Sequence, residues 1–166
     1  MRPSWRRSLA SILAIPKSDP DSRLAVIGIG NELQGDDAAG VMVARRLHKI
    51  KLPQNILTLE GGMSPEAFTG PVRRFQPTQV LLIDAADFGS KPGSITFTEM
   101  GDITGWTGNS HIMPPTVLAE FLIQDLGCQV FMLAIQPMQI EFATPISLPV
   151  RRAINRLTQF WRLTYC

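Results

Sequence analysis

The chain has 166 residues, 45% of them apolar and 18% charged, which is enough for one domain around one sizeable core and too apolar for a disordered chain. A formal net charge of +2 is too small to point to nucleic acid, and no apolar run approaches the roughly 18 residues of a membrane span. Cys128 and Cys166 are the two cysteines; they lack C-x-x-C spacing, which removes zinc clips and redox pairs, and while a disulfide stays open, a reduced, cytoplasmic protein is the simpler reading.

Residues 1–22 read as an N-terminal extension to a domain spanning 23–166. Arg2, Arg6 and Arg7 precede a short apolar segment, as in a secretory leader, but no small-x-small cleavage site follows. Trp5, Leu9 and Ile12 share a helical face, so a short helix packing on the domain or on a neighbour is expected. The arginines here and near the other end (Arg151, Arg152, Arg156, Arg162) read as solvated faces.

Residues 24–47 are the stretch around which the rest is organised. An apolar strand, 24–27, runs into a glycine-rich turn with Gly28, Gly30 and Gly35, then Asp36 and Asp37, then a helical pattern. That helix turns Ala39, Val43, Leu47 and Ile50 to one face, leaves His48 among cations in solvent, and ends before Pro53. Residues 55–60 read as a second strand, closed by Gly61 and Gly62. Ser64 and Pro65 open a second helix, which Gly70 and Pro71 interrupt. Residues 79–83 form an apolar run ending at Asp84, the mark of a strand covered on both faces.

After a turn at Lys91–Pro92–Gly93, residues 94–98 alternate like a strand. A polar loop then carries His111 toward Pro114 and Pro115. A helix over 116–126 is expected to face Leu118, Phe121, Leu122 and Leu126 inward, with Gly127 as its stop. Residues 129–135 are another buried strand, followed by Gln136 and Pro137. A last helix, about 149–163, packs through Val150, Ile154, Leu157 and Trp161. Strand and helix alternate without repeats, so the expected fold is α/β: a three-layer sandwich with a mostly parallel central sheet. In such sheets, sites form beyond the carboxyl ends of the strands. Asp36, Asp37, Glu60, Asp84 and Gln136 all follow strand ends and should gather at one edge.

An acid ending an apolar run costs free energy unless it is paired, hydrated or metal-bound. The plainer account of Asp84 is a carboxylate capping a backbone amide; that of Asp36 is a helix N-cap, and that of Asp37 a favourable place by the helix dipole. If His111 reaches the same edge, Asp37, Asp84 and His111 supply two oxygens and a nitrogen. That set suits a divalent transition metal with positions left open for water or substrate. A nucleotide site is disfavoured: Gly28, Gly30 and Gly35 miss the G-x-G-x-x-G spacing, and Glu32, Asp36 and Asp37 would repel a pyrophosphate.

Taken together, several stretches resemble the hydrogenase maturation proteases. They are residues 28–37 (Gly-Ile-Gly-Asn-Glu-Leu-Gln-Gly-Asp-Asp), 60–62 (Glu-Gly-Gly), 82–87 (Leu-Ile-Asp-Ala-Ala-Asp), 91–93 (Lys-Pro-Gly), 111–114 (His-Ile-Met-Pro) and 135–137 (Ile-Gln-Pro). The likeness runs from about residue 23 to 162, with the branch acting on formate-hydrogenlyase-type hydrogenases most similar. It implies an endopeptidase, aspartic-type in the family's classification, that removes the C-terminal extension of a nickel–iron hydrogenase large-subunit precursor once nickel is inserted. The family's nickel-contacting residues fall on Asp37, Asp84 and His111, which would be the catalytic set, with the nickel presented by the substrate. Two departures are Ala38, where many members have glycine, and Glu60, where aspartate is common.

The expected protein is therefore a cytoplasmic monomer, with no apolar stripe visible on its surface and no nucleic-acid or membrane partner. In it, Gly28, Gly30 and Gly35 would let the backbone approach the substrate tail, and Gln136 would orient a ligand or a substrate carbonyl. The alternatives are a non-catalytic metal-binding accessory protein that escorts the precursor and, less favoured, a nucleotide-binding α/β enzyme.

Overall fold

The computed structural model describes residues 4–100 and 113–166. Among them the strands are β1 (Leu24–Ile29), β2 (Ile56–Gly62), β3 (Gln79–Ala85), β4 (Ile95–Glu99) and β5 (Gln129–Ile135). The helices are α1 (Trp5–Ser18), α2 (Ala39–Leu47), α3 (Thr69–Phe75), α4 (Pro115–Leu126) and α5 (Leu148–Tyr165). The sheet order is β2-β1-β3-β5-β4. All pairings are parallel except that of β4, which runs antiparallel along β5. This is the expected α/β architecture.

Alternation along the strands builds two cores. In β3, Leu81, Ile83 and Ala85 face one cluster with α1, α2 and α5, while Val80 and Leu82 face the other with α3 and α4. The sheet is thus covered on both faces, which is why residues 80–83 of β3 are apolar without a break. Leu9, Ile12 and Leu13 of α1 are buried in the first cluster beside Leu47 and Trp161. Lys17 donates to the carbonyl of Thr164, and the Tyr165 hydroxyl donates to that of Leu13. The expected amphipathic helix is therefore present and packs on the domain. No helix of the described residues is long and apolar enough to cross a membrane. Cys128 is buried and Cys166 exposed, both as free thiols.

Several boundaries differ from expectation for local reasons. The second helix breaks ahead of Gly70 and Pro71, between a 3-10 turn Pro65–Phe68 and α3. Pro71 then sits in the first turn of α3, where no N–H is required. Pro16 lies inside α1. Phe121 points outward from α4, beneath the Arg73 guanidinium, and the inward face is Pro115, Leu118, Ala119 and Leu122. His48 is exposed, as expected, with its Nδ1 3.2 Å from the Thr58 hydroxyl. The surface is also not free of apolar patches: Leu33, Met138, Ile140 and Phe142 are exposed in two neighbouring loops.

Candidate active site at the carboxyl edge of the sheet

Chain direction across the sheet reverses between β1 and β3. From β1 the chain steps outward to β2, then returns to the far side of β1 and continues through β3 toward β5. The crevice beyond the carboxyl ends of two such strands is where α/β folds bind ligands. A 3-10 turn, Gly35–Ala38, follows β1 and packs against β3. Asp37 lies on that turn, and Asp84 lies near the end of β3. Asp37 and Asp84 therefore both lie on elements that end at this edge of the sheet. His111 lies outside the described residues; Pro114 and Pro115, just after it in sequence, line a small cavity of about 10 Å³ with Asp84.

Glycines close this corner. A Cβ on Gly40 would stand 2.0 Å from the Ile83 carbonyl, and one on Gly28 would stand 2.2 Å from the Gly40 carbonyl. Gly30 has φ +141°, and a Cβ there would fall 1.8 Å from the Asp37 carbonyl. The space beside these glycines is taken by the chain's own backbone. They bring α2 onto β1 and β3 and seat the turn that carries Asp37.

The two neighbouring acids have opposite surroundings. Asp36 is fully buried, and its carboxylate accepts four bonds: Oδ2 from the N–H groups of Met138 (2.8 Å) and Gln139 (3.0 Å) and the Ser147 hydroxyl (2.8 Å), and Oδ1 from the Ser147 N–H (2.6 Å). The expected N-cap role is thus overturned: Ala38 holds that position in α2, and Asp36 instead anchors a loop about a hundred residues away. Asp37 is also buried, but only Oδ2 has a partner, the Asn31 N–H at 2.9 Å. Its Oδ1 has none among the described residues. A buried carboxylate oxygen without a donor is costly unless a cation or water completes it. Asp84, also fully buried, accepts from the Ala85 N–H at 2.8 Å. Among the described residues alone no three such side chains converge as a metal site.

Gln136 braces the scaffold, which corrects its expected ligand-facing role. Its Oε1 accepts from the N–H groups of Phe88 (2.9 Å) and Ser90 (3.2 Å), and its Nε2 donates to Asp87 Oδ1 at 3.1 Å. These bonds fix the loop that follows Asp84. The Gly89 N–H, and after it Gln136, hold the Asp87 carboxyl below the usual carboxylate range. On the other flank, the Arg45 guanidinium bridges Glu32 (2.6 Å) and Glu60 (2.7 Å). Hydrogen bonding to Arg45 keeps the Glu32 carboxyl low, and Glu60 is engaged by that bridge. The sequence reading missed Asp36 as an anchor and Arg45 as a clamp. The doubled acid was the one signal for the first; nothing local marks the second.

Comparison with known proteins agrees with this fold. A family model described as hydrogenase maturation protease matches residues 41–161. The hydrogenase 3 maturation protease of Escherichia coli K12 is 33% identical over 133 residues, covering 79% of this chain and 83% of that protein. The crystal structure of a [NiFe] hydrogenase maturation protease HycI from Thermococcus kodakarensis superposes with a TM-score of 0.81 at 25% identity, covering 93% of this chain and 97% of that one. The solution structure of the endopeptidase HycI from Escherichia coli superposes with a TM-score of 0.73 at 31% identity, covering 82% and 87%.

Proposed function

This chain belongs to the hydrogenase maturation protease family, and from that premise we propose that it removes the C-terminal extension of a nickel-loaded nickel–iron hydrogenase large-subunit precursor, as a cytoplasmic monomer. The observation that carries the reading is the Oδ1 of buried Asp37, without a partner among the described residues, at the same edge of the sheet as Asp84. Such an oxygen fits a cation, and two carboxylates with the His111 imidazole form a mixed oxygen–nitrogen set suited to nickel. The nickel enters as part of the substrate. Asp37, Asp84 and His111 contact it there, and that contact aligns the scissile peptide bond. Hydrolysis then draws on the metal as Lewis acid or on a carboxylate as general base.

The test is to incubate the nickel-loaded precursor with the wild-type protein and with Asp37→Asn, Asp84→Asn and His111→Ala, and to follow the mass of the precursor by mass spectrometry. The wild type is expected to shorten the precursor and the variants to leave it intact. Full processing by all three variants would overturn the assignment of these residues. Tight binding by the wild type with no change in precursor mass would make the protein a non-catalytic escort instead.

A further inference from the structure

The loop anchored by Asp36 has a second side. Residues 138–147 lie along the turn that carries Asp37: Asp36 donates its N–H to the Gln139 carbonyl at 2.8 Å, and Ala143 donates to the Leu33 carbonyl at 2.7 Å. A Cβ on Gly35 would stand 2.5 Å from the Thr144 hydroxyl, so the two segments are in close contact. On these joined segments Leu33 is 61%, Met138 62% and Phe142 70% exposed, with Ile140 also open to solvent. Large apolar side chains grouped in water mark a contact surface. The four hydrogen bonds on Asp36 hold both ends of the loop, at Met138–Gln139 and Ser147, against the turn.

We infer that Leu33, Met138, Ile140 and Phe142 form a docking surface for an apolar segment of the protein substrate, next to the site that cuts it. This rests on the reading of Asp37 and Asp84 above. Continuity with that site identifies the occupant. Asp36 bonds the patch-bearing loop to the same short turn that carries Asp37, so a chain lying on the patch would run beside the proposed site. A second copy of the protein seated there would cover a site that must open to a large precursor. An anionic lipid surface is disfavoured by Glu141, exposed between Ile140 and Phe142 in the chain. Holding the patch on a pre-set loop lowers the ordering cost of binding.

The experiment measures processing of the nickel-loaded precursor by wild type, by Met138→Ser/Phe142→Ser, and by Leu163→Ser, an exposed apolar position on α5 outside the patch. These positions are exposed, so the fold should survive the changes, and circular dichroism checks it. The double variant is expected to raise KM about tenfold with kcat within about twofold, as loss of two apolar anchors in a contact surface does. Leu163→Ser should match the wild type. An unchanged KM in the double variant, or an equal rise with Leu163→Ser, would overturn the docking surface. So would a wild-type dimer in sedimentation that the double variant dissolves while KM stays the same. Asp37→Asn, run in parallel, separates the two readings: normal processing by it would sink the site assignment, while the KM comparison still judges the patch.

Discussion

Asp36 and Ser147 meet twice: the Ser147 N–H donates to Oδ1 at 2.6 Å and its hydroxyl to Oδ2 at 2.8 Å. The two residues are 111 positions apart, and Ser147 is the N-cap of α5. One buried carboxylate therefore joins the turn after β1 to the start of the last helix.

Asp36→Asn should be strongly destabilising. Its amide would turn N–H donors toward the N–H groups that Asp36 now accepts from, leaving buried donors unpaired. The cost is about 2–4 kcal/mol. Ser147→Ala removes the hydroxyl and leaves three donors on the carboxylate, so about 1 kcal/mol is expected. Urea denaturation midpoints rank the two; a harmless Asp36→Asn would refute the anchor.

Asp37→Asn should separate stability from activity. The Asn31 N–H keeps an acceptor in the new amide, and the position of Oδ1, which has no donor among the described residues, takes a neutral amide nitrogen. Stability should stay within about 1 kcal/mol of wild type, or rise, while precursor processing is lost. Thermal unfolding and mass spectrometry on the same sample check this. A loss of several kcal/mol would show that Asp37 is a structural acid.

Gly40→Ala should reverse the usual helix rule. In an exposed helix interior this change gains up to about 1 kcal/mol. Here the new Cβ would stand 2.0 Å from the Ile83 carbonyl and 2.3 Å from that of Ile29. Backbone must shift, and the expected loss is about 2–4 kcal/mol. Gly70→Ala in α3 meets only the flexible end of Arg74 at 3.6 Å and should be neutral or stabilising. Equal effects of the two in chemical denaturation would refute the close approach of α2 to β3.

Tyr165 should make stability fall at high pH. It is the only tyrosine, and burial pushes its phenol up from 10.0 to about 12. The folded state holds that proton more tightly than the unfolded state. The contribution is therefore complete below pH 10 and declines as pH rises toward about 12. Tyr165→Phe should flatten this decline. Denaturation midpoints across that window, with phenolate absorbance as the titration signal, decide it; parallel slopes for both proteins would count against it.

Most of the fold was legible because its signals are local. The apolar run 79–83 reads as a two-faced strand from its own residues, and Gly127, with φ +63°, ends α4 where a left-handed cap is required. The inward stripe Val150, Ile154, Leu157 and Trp161 on α5 follows from helical spacing alone and is buried as read. The misreadings were about partners. Phe121 has the spacing of a core residue but finds Arg73 and solvent. Gln136 ends a strand as a ligand would, yet its side chain is taken up by Asp87, Phe88 and Ser90.

By itself the sequence determined the alternation of strands and helices, the parallel sheet and the edge where acids collect, because hydrophobic period and strand-end position act over a few residues. Only the tertiary structure decided what each acid does. Asp36 and Asp37 are chemically identical neighbours on one short turn. The loop arriving from residues 138–147 satisfies the first completely and leaves an oxygen of the second without a donor among the described residues, and no local pattern encodes which of the two a distant segment will reach.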